Sequence, residues 1–500
     1  MERNAPRSIR SAVVVNLIKT ITITLLSFIS FPFAARALGE VGMGYHTYAN
    51  AFVYYFLILS RLGIPNLATR ECAKVRDDKV ELSRKAQTFF IMQLITTLLS
   101  FVAMVAFVFL LPGPFKEDKM RVLIFLLSLN FLLGVFSFEW FYIALEKHFF
   151  IAIRSIIVIT IGTLLTIALV RSHRHLFLYA GIGVTYALLT SVINIFFLHQ
   201  NGFIFRPLGN YNFSKYWKSA FSIAVVTILI TLYNQTDTMI LGGLDKTQVS
   251  TGSYSIGVKV VEIVITILTS LSAVFFPRAA KLVKDNNIEE FKNITKYSNN
   301  LTLLIGLPAV GLVIVLAPEI ISYIVSNNAN TWTSAAVENA TFALVIIASI
   351  MLTYSIAENI YSQVLLPLEK EYIYLICLSI GVVFNIGGAF LLGGVVFKDR
   401  PLIGIAISTL VSDLIVLVPL LIVTRKITAP AIFNLNSLKI VLASIAISLI
   451  AYFIIPLLKM DALLKVIVVG VISGAVYVTI LLLSKENIIT NLLMVKKRSD

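Results

Sequence analysis

The sequence predicts an all-α protein that crosses a lipid bilayer many times, and three observations predict it. Of its 500 residues, 58% are hydrophobic and only 13% are charged, with a mean hydropathy of +0.90. Soluble domains run nearer to about 45–50% apolar and roughly 25% charged, and no soluble core of this length hides so much apolar side chain. The apolar residues fall in runs of roughly 20 or more, the length a helix needs to cross the hydrocarbon. The alternating ten-residue segments of a membrane barrel are missing.

About fourteen spans follow from those runs. The first six lie near 11–35, 45–67, 86–111, 121–145, 149–170 and 176–199. The next six lie near 216–241, 252–276, 298–324, 338–366, 372–393 and 402–424, and two more near 440–458 and 463–483. Spans five and six are separated only by Arg171-Ser172-His173-Arg174-His175. Pro32, Pro277, Pro308 and Pro367 fall in or near span ends, where kinks or helix stops are expected.

Orientation follows from Lys and Arg, which stay cytoplasmic when they lie in short loops. Most of the 41 basic residues fall on alternate loops. The contrast is sharpest at Arg70, Lys74, Arg76, Lys79, Arg84 and Lys85, and again at Arg278, Lys281, Lys284, Lys292 and Lys296. With an even number of spans, the tail Lys496-Lys497-Arg498 shares that side, so both termini are expected in the cytoplasm. The net charge of +15 is then a matter of topology and anionic headgroups, and no nucleic-acid partner is expected. Cys72 and Cys377 fall near the cytoplasmic side, where a disulfide is not expected. The first apolar run is too long for a cleavable signal, and the Ala-Ala before Arg36 is a poor cleavage site.

The chain also repeats itself. ALG (37–39), Gly44-Tyr45 and LATRECAK (67–74) surround the second span, while ILG (240–242), Gly252-Ser253-Tyr254 and FPRAAKL (276–282) surround the eighth. Gly44 to Arg70 and Gly252 to Arg278 are the same distance apart in sequence, and Arg84 and Lys292 keep that offset. Each half ends its fourth span on Leu-Glu-Lys, in EWFYIALEK (139–147) and QVLLPLEKE (363–371). An even number of spans between repeats keeps them parallel, which implies two lobes about an axis along the membrane normal with a path between them. The expected organisation is an N-terminal lobe over 1–215, a C-terminal lobe over 216–430, and two added spans with a tail over 431–500.

No loop is large enough for a catalytic domain, the longest being 277–297. Walker, HExxH and Cys/His metal motifs are absent from the sequence. A transporter is expected rather than an enzyme, with no catalytic residue, no metal site and no bound cofactor.

The segment FPFAARALGEVGMGYHTYA (31–49), with Gly63 and LATRECAK, resembles the signature of polysaccharide-repeat-unit flippases. These belong to the multidrug/oligosaccharidyl-lipid/polysaccharide exporter superfamily. EWFYIALEKHFFIAIRSI (139–156), DTMILGGL (237–244), FPRAAKL and QVLLPLEKE extend the resemblance in register over the whole chain. It implies export, by alternating access, of an oligosaccharide carried on undecaprenyl pyrophosphate across the bacterial cytoplasmic membrane. Polysaccharide polymerase and chain-length machinery are the implied partners. Trp140-Phe141-Tyr142 stands where many relatives carry a Gln-Gly pair, which leaves the sugar open. A cation-coupled multidrug antiporter, or a membrane glycan polymerase or transferase, are the competing functions.

Ionisable groups inside spans are costly and normally face a cavity or one another. Lys19, Arg61, Glu139 and Arg154 come from spans one, two, four and five, yet all lie roughly 6–14 Å from the cytoplasmic ends. Their cationic balance suits a pyrophosphate, which Arg grips bidentately and Lys meets as a point charge. Glu139 can hold one cation when cargo is absent, and snorkelling to headgroups is the competing reading. In the second half Asp237, Glu262, Glu358 and Asp413, with Asn234 and Asn385, are candidates for coupling to a sodium or proton gradient. Lys259 and Glu262 are also spaced to pair on one helix. Asp413 has no cation nearby in sequence, so it should hold a proton, bind a cation or make a buried helix–helix hydrogen bond. The aromatic run Tyr48, Phe52, Tyr54, Tyr55 and Phe56 suits either a sugar path or packing.

Overall fold

The computed structural model describes residues 9–325 and 331–486. The tail Lys496-Lys497-Arg498 lies outside those residues. Thirteen helical stretches among the described residues are long and apolar enough to cross a membrane. The first, Val14–Ala73, has 60 residues. Unbroken, it would reach about 90 Å, roughly three hydrocarbon thicknesses. It breaks at Gly39, whose φ of 69° and ψ of 179° suit glycine alone, and again at Leu62 and Gly63, with φ 41° and 68°. It is therefore two spans, which makes fourteen among the described residues, and the chain is a multi-pass helical membrane protein.

The expected loop at 277–297 is mostly helix. Span eight runs on as Val249–Lys284 and span nine begins at Ile288, so only 285–287 turn the chain. Asn287 accepts from the Glu290 N–H at 3.2 Å, and Arg278 pairs with Glu290 at 2.8 Å across the turn. Charged residues that stop an apolar run do not stop a helix; they carry it out of the lipid. Span nine also ends sooner than expected, at Val315, and a separate helix, Ala317–Val325, follows.

Packing divides the chain into two units between Gly252 and Ser253. Span seven, Ser214–Leu244, thus packs with the first six. The lobe boundary at 215/216 is a relation of sequence and is distinct from this division.

The core of the first unit is aromatic. Trp140, Phe141 and Tyr142 are all buried there, in a cluster with Phe89, Phe203 and Tyr216. Trp140 Nε1 donates to Gln93 at 3.3 Å, and the Tyr142 hydroxyl donates to the Asn194 carbonyl. The residues that depart from the family pattern are therefore core residues. Gln87 makes four hydrogen bonds to the connection after span six. Its Nε2 donates to the carbonyls of Ile204 and Arg206 at 2.7 and 2.9 Å. Its Oε1 accepts from Leu208 N and Tyr211 OH at 3.1 and 2.8 Å.

Two features give the repeat a physical form. Glu146 and Glu369 both adopt a left-handed φ of 57°. The following N–H groups, of Lys147 and Lys370, reach back five residues to Tyr142 and Leu365, each at 2.9 Å. Both Leu-Glu-Lys segments thus end their helices with the same left-handed cap. The second feature lies within the first unit. A methyl on Gly44 would stand 1.8 Å from the carbonyl oxygen of Gln248, and one on Gly252 would stand 1.9 Å from that of Glu40. Shifting Glu40 and Gly44 by the repeat offset gives Gln248 and Gly252, so this backbone crossing maps onto itself.

Candidate functional site

The first-unit charges divide into a pair and two separate cations. Arg154, on the helix His148–Leu169, is only 3% exposed. Its Nη2 lies 3.5 Å from Glu139 Oε1 and donates to Ser155 Oγ at 2.9 Å. Nε and Nη1 are buried without a partner. A guanidinium carries five N–H donors in a rigid fork, and here only one nitrogen is engaged. Glu139 opens the short helix Glu139–Ala144 after Phe138 turns left-handed at φ 46°, and its side chain is 40% exposed. Tyr142 and Tyr186 lie within electrostatic reach of Arg154. A buried cation held on one side by a half-open carboxylate can accept an oxyanion on the other.

Lys19 is half-buried in span one and makes no hydrogen bond or ion pair among the described residues. Arg61 is exposed at the last residue before the Leu62–Gly63 break, and it too has no such partner there. Glu139 and Arg154 are brought together, while Lys19 and Arg61 are not tied to them by any contact.

The coupling candidates spread over both units. Asp237 is buried in the first, in electrostatic reach of Tyr55, whose hydroxyl lies 3.4 Å from Thr236 Oγ1; Asn234 on the same helix is exposed. In the second unit Glu262 is exposed and paired with Lys259 at 2.9 Å. Asp413 is 4% exposed, and its Oδ2 accepts from Thr353 Oγ1 at 3.1 Å. Tyr374 lies within electrostatic reach of both Asp413 and the half-buried Glu358, and its ring stacks on Tyr361 at 4.4 Å. Asn385 is fully buried, and its carbonyl accepts from Ser408 Oγ at 3.1 Å. Spans ten, eleven and twelve thus enclose a polar cluster around two carboxylates. Nothing local in the sequence marks Thr353, Tyr361 or Tyr374; Thr353 stands 60 positions from its carboxylate.

The aromatic run resolves as packing at Tyr48, Phe52 and Phe56. Their rings meet Phe115 at 5.6 and 4.7 Å and Phe107 at 5.9 Å. Tyr54 is exposed.

Comparison with known proteins follows from this geometry. Residues 9–283, more than half of the chain, match the family described as polysaccharide biosynthesis protein. The chain belongs to that family. Residues 222–391 of this family member also match the MatE family. It is 21% identical over 352 residues to an Escherichia coli (strain K12) protein assigned provisionally as an O-antigen transporter, covering 70% of this chain and 81% of that one. Among solved structures it resembles the lipid II flippase MurJ in an inward closed conformation. The TM-score is 0.68 at 16% identity, with 94% of this chain and 97% of that one covered. An inward-facing multidrug resistance transporter of the MATE family gives a TM-score of 0.60 at 14% identity, covering 83% and 99%. The two likenesses fix the fold.

Proposed function

We propose that this member of the polysaccharide biosynthesis protein family is a flippase. Its cargo is an undecaprenyl-pyrophosphate-linked oligosaccharide repeat unit, moved by alternating access from the inner to the outer leaflet of a bacterial cytoplasmic membrane. The observation that carries the reading is Arg154, a 97%-buried cation with unmet N–H donors beside a half-open carboxylate. A pyrophosphate leaving the headgroup region must exchange water for fixed donors, and a guanidinium fork supplies them bidentately. Lys19 and Arg61 add positive charge on the same approach, and Glu139 holds Arg154 between cargoes. The likeness to a lipid II flippase along nearly its full length supports the same conclusion.

The moving bodies are the lobes 1–215 and 216–430, with 431–500 as an appended pair of spans. Both termini, the 70–85 segment and the 277–297 segment face the cytoplasm, and polysaccharide polymerase and chain-length machinery are its partners. Asp413, with Glu358, Asn385 and Asp237, couples export to a sodium or proton gradient.

The test is purified protein in liposomes with a fluorescent pyrophosphate-linked oligosaccharide in one leaflet. Transfer to the other leaflet with unchanged mass is expected. Sugar transfer or chain lengthening would replace the reading with a polymerase or transferase. The match of residues 222–391 to the MatE family favours a second reading, a cation-coupled multidrug antiporter. Dye efflux without lipid transfer in the same liposomes would establish it instead.

A further inference from the structure

We propose that spans eight, nine and ten enclose a binding site for an alkali-metal cation, built from neutral oxygens and separate from Asp413. The argument begins with hydrogen-bond accounting in the second unit. Spans nine and ten are joined by two side-chain bonds one helical turn apart. Asn359 Nδ2 donates to Thr302 Oγ1 and Gln363 Nε2 donates to Ser298 Oγ, each at 2.8 Å. The Thr302 hydroxyl is itself spent on the Ser298 carbonyl at 3.1 Å. Asn299 Nδ2 is likewise spent, on the Thr295 carbonyl at 2.9 Å.

These bonds fix both amides by their nitrogen ends and leave their oxygens over. Asn359 Oδ1 and Asn299 Oδ1 are buried without a partner, and so is Ser272 Oγ on span eight. The three residues are 0%, 1% and 2% exposed. Buried polar atoms in native proteins are satisfied in the great majority of cases, so these three orphans call for a partner.

The register brings them to one level. Gly306 sits between spans eight and ten, where a methyl on it would meet Leu268 at 3.3 Å and Leu352 at 3.0 Å. Further along, Phe275 packs on Tyr297 with ring centroids 5.9 Å apart. Ser272 lies between these two contacts and therefore opposite Thr302, which already holds Asn359. Asn299 is three residues from Thr302 and shares its side of the helix.

The chemistry of what is missing selects the ligand. The two amide oxygens carry no hydrogen and the Ser272 hydroxyl can donate to only one of them, so the site is short of positive charge or donors rather than acceptors. Hard cations take oxygen ligands, and sites for divalent ions usually include carboxylates among them. With amide and hydroxyl oxygens alone, the occupant is monovalent. The basic side chains nearest in sequence are engaged elsewhere: Arg278 on span eight is paired with Glu290, and Lys296 on span nine is exposed.

The test uses the full chain in nanodiscs without cargo, so it stands or fails independently of the flippase reading. It is run in an Asp413→Asn background to remove the other candidate cation group. Radioactive sodium should bind saturably, near one ion per chain. Replacing N-methylglucamine with sodium at constant ionic strength should raise Tm by about 2–5 °C. Asn359→Leu and Asn299→Leu on that background should each weaken binding at least tenfold and remove the Tm rise. If Asn359→Leu is not monodisperse, Asn299→Ala is read in its place with the same expected loss. Absence of saturable sodium in the Asp413→Asn protein would mean that water fills the site and would overturn the proposal. Binding untouched by the Asn359 and Asn299 substitutions would overturn it as well.

Discussion

Arg154 in the first unit and Asp413 in the second are buried ions held in different ways. In the first, the cation Arg154 is the hidden member and its carboxylate partner Glu139 is half open. In the second, the carboxylate Asp413 is hidden, and the Thr353 hydroxyl donates to it at 3.1 Å. A buried ion survives only where something repays its lost hydration. A charged partner offsets more of that cost than a hydroxyl does, and biases the site toward one ligand sign. On the proposed function, Arg154 would handle the anion and Asp413 the coupling ion.

The largest expected effect falls on the hidden cation. Arg154→Ala should lower transport, normalised to membrane-inserted protein, by tenfold or much more, corresponding to about 2–5 kcal/mol of lost binding. Lys19→Ala should follow with a smaller loss, and Lys19→Arg should recover part of it because charge survives though geometry changes. Full activity in both alanine variants would remove the anion role from the first unit.

Next comes an asymmetry within the pair. Glu139→Gln strands a buried guanidinium, while Arg154→Met leaves a carboxylate that water can reach. The first should destabilise the purified protein by about 1–3 kcal/mol after allowance for Glu139's exposure, and the second by less. Thermal unfolding of the two variants in one detergent decides it; equal losses would mean that the 3.5 Å contact does not matter.

In the second unit, Asp413→Asn should weaken dependence on a sodium or proton gradient while folding stays intact. Thr353→Val, which removes one hydrogen bond worth about 1 kcal/mol, should shift that dependence without abolishing it. Gradient-driven uptake in vesicles, with each ion in turn, separates these from a structural role. The smallest effect is expected at Arg61. It is exposed and unpaired among the described residues, so Arg61→Ala should change transport by no more than about twofold if its chain simply reaches the headgroups.

Much of the fold is legible in the sequence because the bilayer imposes it. Apolar runs set the spans, and Gly39 marks the break between the first two. The helical extensions around 277–297 were not legible, because Lys281, Lys284, Glu289 and Glu290 end the apolar signal without ending the hydrogen-bonded ladder. At the sites, the residue types were legible and their partners were not. Glu139 and Arg154 sit on neighbouring spans with a short connection, so their pairing lies close to the sequence. Thr353 and Asp413 meet only through the packing of spans ten and twelve, and no local pattern encodes that.

The crossing of Gly44 and Gly252 has a consequence of another kind. Glu40 meets Gly252 just as Gln248 meets Gly44, an isologous contact in which residue i touches j and its counterpart j touches i. Isologous contacts are how two identical subunits associate about a two-fold axis. Here both sides belong to one polypeptide, so a half-length chain carrying either glycine motif would present to a second copy of itself the surface that this chain satisfies internally. Covalent fusion frees the halves to diverge everywhere except at that crossing, where the backbone spacing admits no side chain on either strand of the contact.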